Sequence, residues 1–181
     1  YRAVAGGNAR APIVVELLCQ GADVNAVERW WHRTALHKVA EHGYNILVQH
    51  LLSFGADPNM KDTSGSTALH LAVQNKHVES CRLLLAGGAA VGCRSSSGET
   101  PLHIACSNGC LQIVKQLCSR PHHADVDARV EYGGDAPLHI AAAQGFHEIV
   151  RYLLSLAADI NMRTKNGWVP LHLAAWNSHV L

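Results

Sequence analysis

The sequence predicts an all-α solenoid: short helix-turn-helix units laid side by side, each burying its apolar face only against its neighbours. Three observations lead there. A Leu-His motif recurs with its histidines at 37, 70, 103, 139 and 172, so successive copies stand 33, 33, 36 and 33 residues apart. Each copy is followed by a second apolar stripe with helical spacing, as in Leu47, Val48, Leu51 and Leu52, or Ile149, Val150, Leu153 and Leu154. Each stripe then gives way to an extended run of the Ala-Asp-Val-Asn kind, at 22–25, 56–59 and 158–161.

The elements follow in order from local chemistry. Thr34-Ala35, Thr67-Ala68 and Thr100-Pro101 place a capping hydroxyl before the motif leucine, and proline at a first helical position loses no needed donor. The first helix of each unit therefore starts at the motif and stops near Gly43, Gly109 or Gly145. The second helix carries the next stripe and stops at Gly21, Gly55 or Gly88, a residue type that enters the left-handed region cheaply. A turn with Gly65, Gly98, Gly134 or Gly167 leads to the next motif. These signals divide the chain into units at about 1–27, 28–61, 62–94, 95–130 and 131–163, with a partial unit at 164–181. Thus five to six repeats are expected, the terminal ones incomplete, in what reads as a piece of a longer protein. The segment 1–10 lacks the motif, although the second helix of its unit is clear from Ile13 to Cys19.

The run Thr100-Pro-Leu-His-Ile104, together with Gly21-Ala-Asp-Val-Asn25, resembles the ankyrin repeat family, and the resemblance covers nearly the whole chain. It implies projecting β-hairpin turns, a curved stack of helices, and a concave side that binds other proteins. It also implies that the motif histidines hydrogen-bond backbone near the turns and tie neighbouring units together. Separately, the unit between His103 and His139 carries three extra residues around Cys118-Ser-Arg-Pro-His-His-Ala124. That lengthened connection, with Thr100 to Cys110, is similar to a stretch in the inhibitor-of-NF-κB group.

Composition narrows the function classes. Hydrophobic residues make up 48% and charged residues 16%, and no apolar run approaches the roughly 20 residues of a spanning helix, so no membrane insertion is expected. Fifteen basic residues balance fourteen acidic ones without a Lys/Arg cluster, which removes the electrostatic term that drives nucleic-acid binding. Six cysteines scatter irregularly and read as reduced fillers rather than a disulfide framework, which points to an intracellular location.

Thirteen histidines raise the question of a metal. Equivalent positions on stacked helices lie ~8–10 Å apart, whereas a zinc ligand lies ~2 Å from its ion. His103, Cys106 and Cys110 share a helical face, but that face is needed for packing. No phosphate-binding loop, nucleophile elbow or His-Glu-x-x-His is present, so no catalytic residue, metal or cofactor is expected.

Specificity is then carried by residues that break the repeat. By resemblance, ankyrin partners meet the turn tips and the exposed side of the first helix. At the tips stand Trp30, Trp31, Arg33, Ser66, Glu99, Tyr132, Asp135 and Trp168; on the helices stand Glu41, His42, Gln74, Asn75, Ser107, Asn108, Gln144 and Trp176. All four tryptophans belong to this set, and Trp, Tyr and Arg are the usual anchors of interfaces. The turn from Glu28 to Arg33 is one residue longer than its fellows and lacks glycine, which thrusts its tryptophans outward. Asn25 and Asn161 resemble the asparagines that ankyrin proteins present to an asparaginyl hydroxylase; the alternative is that they only bridge successive turns. The functional expectation is a non-enzymatic adaptor or substrate-recruiting scaffold, for example in a ubiquitin ligase. The alternatives are a transcription-factor-binding regulator and a regulatory module of an enzyme whose catalytic domain lies elsewhere.

Overall fold

The computed structural model describes residues 11–177, and the outer ends of the first and last predicted units lie outside them. Ten helices and no strands occur among the described residues: α1 Ala11–Cys19, α2 Ala35–Glu41, α3 Asn45–Ser53, α4 Ala68–Gln74, α5 Val78–Ala86, α6 Pro101–Ser107, α7 Leu111–Cys118, α8 Pro137–Ala143, α9 His147–Ser155 and α10 Pro170–Trp176. They belong to two compact units that divide between Ala90 and Val91. In the first, α2 packs on α4 and α3 on α5, with α1 beside α3; in the second, α8 lies between α6 and α10, and α7 packs on α9. Each unit is thus two layers, a row of motif helices and a row of stripe helices.

The motif builds its own helix start. The amide N–H preceding the motif helix donates to Nδ1 of the histidine three residues on, at 3.1–3.2 Å for Thr34, Thr67, Thr100, Ala136 and Val169. Where threonine is present its hydroxyl joins the same nitrogen, at 2.9 Å in His37 and 2.8 Å in His103. An imidazole whose Nδ1 accepts must carry its proton on Nε2, and that proton goes to the next turn. His37 Nε2 donates to Ser66 O at 3.2 Å, His103 Nε2 to Ala128 O at 2.9 Å, and His139 Nε2 to Trp168 O at 3.2 Å. His37, His103 and His139 therefore act as struts between repeats, with both nitrogens engaged.

Packing explains the leucine of the motif. Leu36, Leu69, Leu102 and Leu138 are all within 2% of complete burial, each contributing ~1.5–3 kcal/mol of apolar transfer. Leu171 holds the same register but is 73% exposed, because no described element lies beyond α10. After α2, α6 and α8 the left-handed position is a glycine, whereas Lys76 holds it after α4 with φ +58°. Gly109 has φ +70°, and a Cβ there would lie 2.6 Å from the ring of Phe146 in the following repeat. Only glycine satisfies both the left-handed backbone and the close approach.

The turns differ from β-hairpins with a ladder. Each has a backbone bond between its flanks, Glu28 N to Arg33 O, Asp62 N to Ser66 O, Ser95 N to Glu99 O, Val130 N to Asp135 O and Thr164 N to Trp168 O, and in three of them a glycine N–H bonds back as well, Gly65 to Asp62 O, Gly98 to Ser95 O and Gly167 to Thr164 O. Side chains then knit adjacent turns. Arg94 Nη1 reaches Arg129 O at 2.6 Å, and Arg129 Nη2 reaches Arg163 O at 2.6 Å. Asn25 donates through Nδ2 to Gly55 O at 3.4 Å and accepts the Asp57 N–H at 2.8 Å, and Asn59 repeats this with Gly88 O at 3.2 Å and the Ala90 N–H at 2.8 Å. Asp127 takes this place in the second unit and only accepts, from the Asp159 N–H at 3.0 Å.

The stripe helices end at Gly21, Gly55 and Gly88 with φ near +90°, but His123 and Ala157 stand at the other two ends, also in the left-handed region, with φ +47° and +63°. Residues with a Cβ are strained in the left-handed region by ~1–2 kcal/mol. Ala157→Gly is therefore expected to stabilise the protein by about 0.5–1 kcal/mol after the added chain entropy of glycine is subtracted. Denaturant unfolding monitored by circular dichroism checks this, and a decrease in midpoint would contradict it.

Candidate protein-binding surface

The glycine-free turn places two large aromatic rings in solvent; contrary to the expectation from sequence it does not exceed all its fellows, since the turn from Val130 to Asp135 has the same span. His32 takes the left-handed conformation, φ +52°, that glycine takes in the other turns. Glu28 folds over the start of the turn: its carboxylate accepts the N–H of Trp30 at 2.8 Å and that of Trp31 at 2.5 Å. These backbone donors hold the Glu28 carboxyl below its ordinary range. Both indoles stay outside, Trp30 at 78% and Trp31 at 61% exposed, and the Arg29 guanidinium sits 5.7 Å from the centre of the Trp30 ring. Exposed tryptophan costs free energy in an isolated fold, and rings on a backbone fixed by hydrogen bonds lose little further entropy on contact.

Arg33 has a different setting. Its Nε donates to Asp62 at 2.9 Å and its Nη1 to both oxygens of Glu41, at 3.0 and 3.1 Å. Asp62 is 6% exposed; one of its oxygens also receives Ser64 N–H at 2.9 Å, Ser66 N–H at 3.0 Å and the Ser64 hydroxyl at 2.6 Å. Desolvation alone would raise the Asp62 carboxyl, but the bonds from Ser64, Arg33 and Ser66 outweigh it and hold the carboxyl down. Desolvation likewise disfavours the Arg33 charge, and its two carboxylate partners reverse this. Two expected anchors, Arg33 and Glu41, thus spend their charges inside the unit, fixing the Trp30–Trp31 turn to the next one.

The remaining residues divide by position. In the first unit, His42 is exposed and stacks on Tyr44 with centroids 5.4 Å apart, while Gln74 and Asn75 are exposed at the end of α4, beside the end of α2. Ser66 is half-buried, its carbonyl taken by His37. In the second unit, Ser107, Tyr132, Gln144 and Trp176 are exposed, and Glu99, Asn108, Asp135 and Trp168 are half-buried. Trp168 is no isolated tip: it meets His172 edge-on at 6.1 Å and Trp176 at 5.8 Å. Asn25 has both amide atoms in the bridge to the next turn, as the bridging alternative requires, while Asn161 is exposed and its N–H bonds to Asp159. Sequence reasoning missed Asp62, whose only signal is an acid next to the basic residue of a turn.

All six cysteines are free thiols, with Cys81, Cys106 and Cys118 buried. Burial pushes the Cys118 thiol up to about 11, and the Cys106 thiol higher still, so neither supplies a thiolate near neutral pH. Among the described residues no three His, Cys, Asp or Glu side chains gather as a metal site would require, and no helix is long and apolar enough to cross a membrane.

Comparison with known proteins matches these repeats to the family model for ankyrin repeats, in overlapping segments 1–95, 36–130, 87–164 and 126–181. Among curated proteins, the 2-5A-dependent ribonuclease of Mus musculus is 44% identical over 54 residues, 30% of this chain and 7% of that enzyme. The ankyrin repeat protein FPV230 of fowlpox virus (strain NVSL) is 38% identical over 65 residues, 36% of this chain and 34% of that protein. The matches therefore span a small part of one relative and about a third of the other.

Proposed function

Since the chain belongs to the ankyrin repeat family, a non-catalytic protein-interaction fold, we propose that it works as an adaptor or substrate-recruiting scaffold whose principal anchor is the Trp30–Trp31 turn. The observation that carries this reading is the pair of exposed indoles on a turn fixed by Glu28 and the Arg33–Asp62 bond. Large, rigid aromatic surface beside a guanidinium is what interface hot spots consist of. The polar ends of α2 and α4, with His42, Gln74 and Asn75, extend the surface within the same unit. A ubiquitin ligase subunit is one concrete setting for such a scaffold.

Changing both Trp30 and Trp31 to Ala is expected to weaken partner affinity by about 2–4 kcal/mol while thermal stability barely moves. Affinity capture with the wild-type chain, followed by titration of the isolated partner against both proteins, measures this. A large fall in melting temperature with unchanged affinity of the folded fraction would make the two rings packing residues instead.

A second reading is favoured by one comparison. The mouse relative is a ribonuclease, and its matched segment is a small fraction of its length. That supports a role for this module in controlling a catalytic domain carried elsewhere in a longer chain.

A further inference from the structure

In the second unit, Trp168 at the last described turn and Trp176 on α10 stand with ring centroids 5.8 Å apart and planes at 81°. They form two walls of an open cleft whose lining also includes Gly133, Asp135, Asn166 and Leu173. Trp176 is 75% exposed, and neither tryptophan serves the buried core. His172 meets Trp168 edge-on at 78° and fixes its own ring by accepting the Val169 N–H at 3.2 Å. Trp168 is held from below, its N–H donating to the Thr164 hydroxyl at 3.1 Å. The corner is thus built on fixed backbone rather than on loose side chains.

Among the residues lining the cleft, Asp135 is the one with a charged side chain. Asp135 is half-buried, and among the described residues no lysine, arginine or histidine forms an ion pair with it. The nearby Lys165 ammonium is turned to Glu131 O at 2.6 Å, and Arg129 donates to Gly134 O and Arg163 O. Indole faces are the negative side of the ring quadrupole, so two of them and a carboxylate all favour a cation.

Shape selects among cations. A planar guanidinium stacks on one ring and leaves the second wall unused, whereas a compact alkylammonium touches both. An unmodified ammonium is strongly hydrated, and replacing its N–H groups by methyls lowers the cost of entering an aromatic corner. A dimethylated nitrogen keeps one N–H for the Asp135 carboxylate, and Leu173 offers apolar surface to the methylene stem. We propose that the Trp168–Trp176 cleft binds the dimethylated ammonium of a lysine side chain on a protein partner. This rests on the protein-interaction reading above and gives it a second contact point of defined chemistry.

The full 181-residue chain, labelled with nitrogen-15, is titrated with capped single amino acids: Nζ-dimethyl-lysine, unmodified lysine, arginine, and the neutral carbon isostere of the methylated side chain. Dimethyl-lysine is expected to shift the indole N–H resonances of Trp168 and Trp176, not those of Trp30 and Trp31. It should bind about tenfold more tightly than lysine or the neutral isostere. Trp176→Ala and Asp135→Asn should each weaken it about three- to tenfold; Trp176 is exposed enough that its variant keeps the wild-type melting temperature. Equal binding of the neutral isostere, tighter binding of arginine, or full affinity in Trp176→Ala would each overturn the proposal. The probe needs no natural partner, so this result and the Trp30–Trp31 result are separate.

Discussion

His103→Ala is expected to lower stability by about 3–4 kcal/mol, among the largest effects of any single substitution outside the leucine rows. The imidazole is fully buried, accepts the Thr100 N–H at 3.1 Å and donates to Ala128 O at 2.9 Å. Alanine leaves a cavity and strands a buried donor and a buried acceptor. His172→Ala serves as the comparison: its ring is exposed and its effect should stay within about 1 kcal/mol. Equal losses at the two sites, measured by urea unfolding, would deny that the strut depends on the following turn.

The same histidines make stability depend on pH. Burial holds the imidazoles of His103 and His37 below the ordinary range; Glu99 near the first and Asp62 near the second pull up, Arg94 and Arg33 push down, and desolvation prevails. The unfolded chain binds a proton near 6.5, the folded chain only at lower pH, so the unfolded state holds more protons between those values. Stability is full above about pH 6.5 and falls as the pH drops towards the lowered folded values. In His103→Ala that loss should be visibly smaller.

Asp62→Ala is the second large effect, expected at about 2–3 kcal/mol, because it removes at once the acceptor of two serine amides and the partner of Arg33. The value sits below that of a fully buried pair, since the Arg33 side chain is 18% exposed and keeps Glu41. Asp62→Asn separates the parts: its carbonyl can keep the Ser64 and Ser66 bonds while the charge is lost, and about 1–2 kcal/mol should remain. Because the Arg33–Asp62 contact ties the tryptophan turn to the next, Asp62→Asn should also weaken partner binding. Unfolding midpoints for the two variants, with the partner titration, give all three numbers. Identical stability of Asn and Ala variants would show that the ion pair matters and the serine bonds do not.

Period and local chemistry made most of the fold legible. The spacing of the motif histidines placed every motif helix, and Gly43, Gly109 and Gly145 marked three of the helix ends, because both signals act within a few residues; the end of α4 at Lys76 carries no such mark. Their bonding to the next turn came from family resemblance, and the Nε2 contacts agree with it. The site was legible in part. Exposure of Trp30 and Trp31 followed from a turn that is long and without glycine, a local property. The capture of Arg33 by Asp62 and Glu41 did not, since it joins residues 29 and 8 positions away across folded turns. Nor did the meeting of Trp168 with Trp176, which depends on the angle at which α10 leaves its turn.

The substitution of Asp127 for the bridging asparagine has a mechanical consequence. Asn25 and Asn59 each clasp the next repeat with two bonds, whereas a carboxylate can only accept, so the Asp127 side chain supplies one, and the Ala157 carbonyl beyond it lacks the amide donor that Gly55 and Gly88 receive. The strained Ala157 backbone lies at the same joint. When the repeats are pulled or twisted by a partner, this joint should loosen first at its Asp127 end, while the Arg129–Arg163 and His139–Trp168 bonds hold its other end closed. The repeat beyond it, which bears Trp168 and Trp176, can then tilt about its turn without parting from its neighbour.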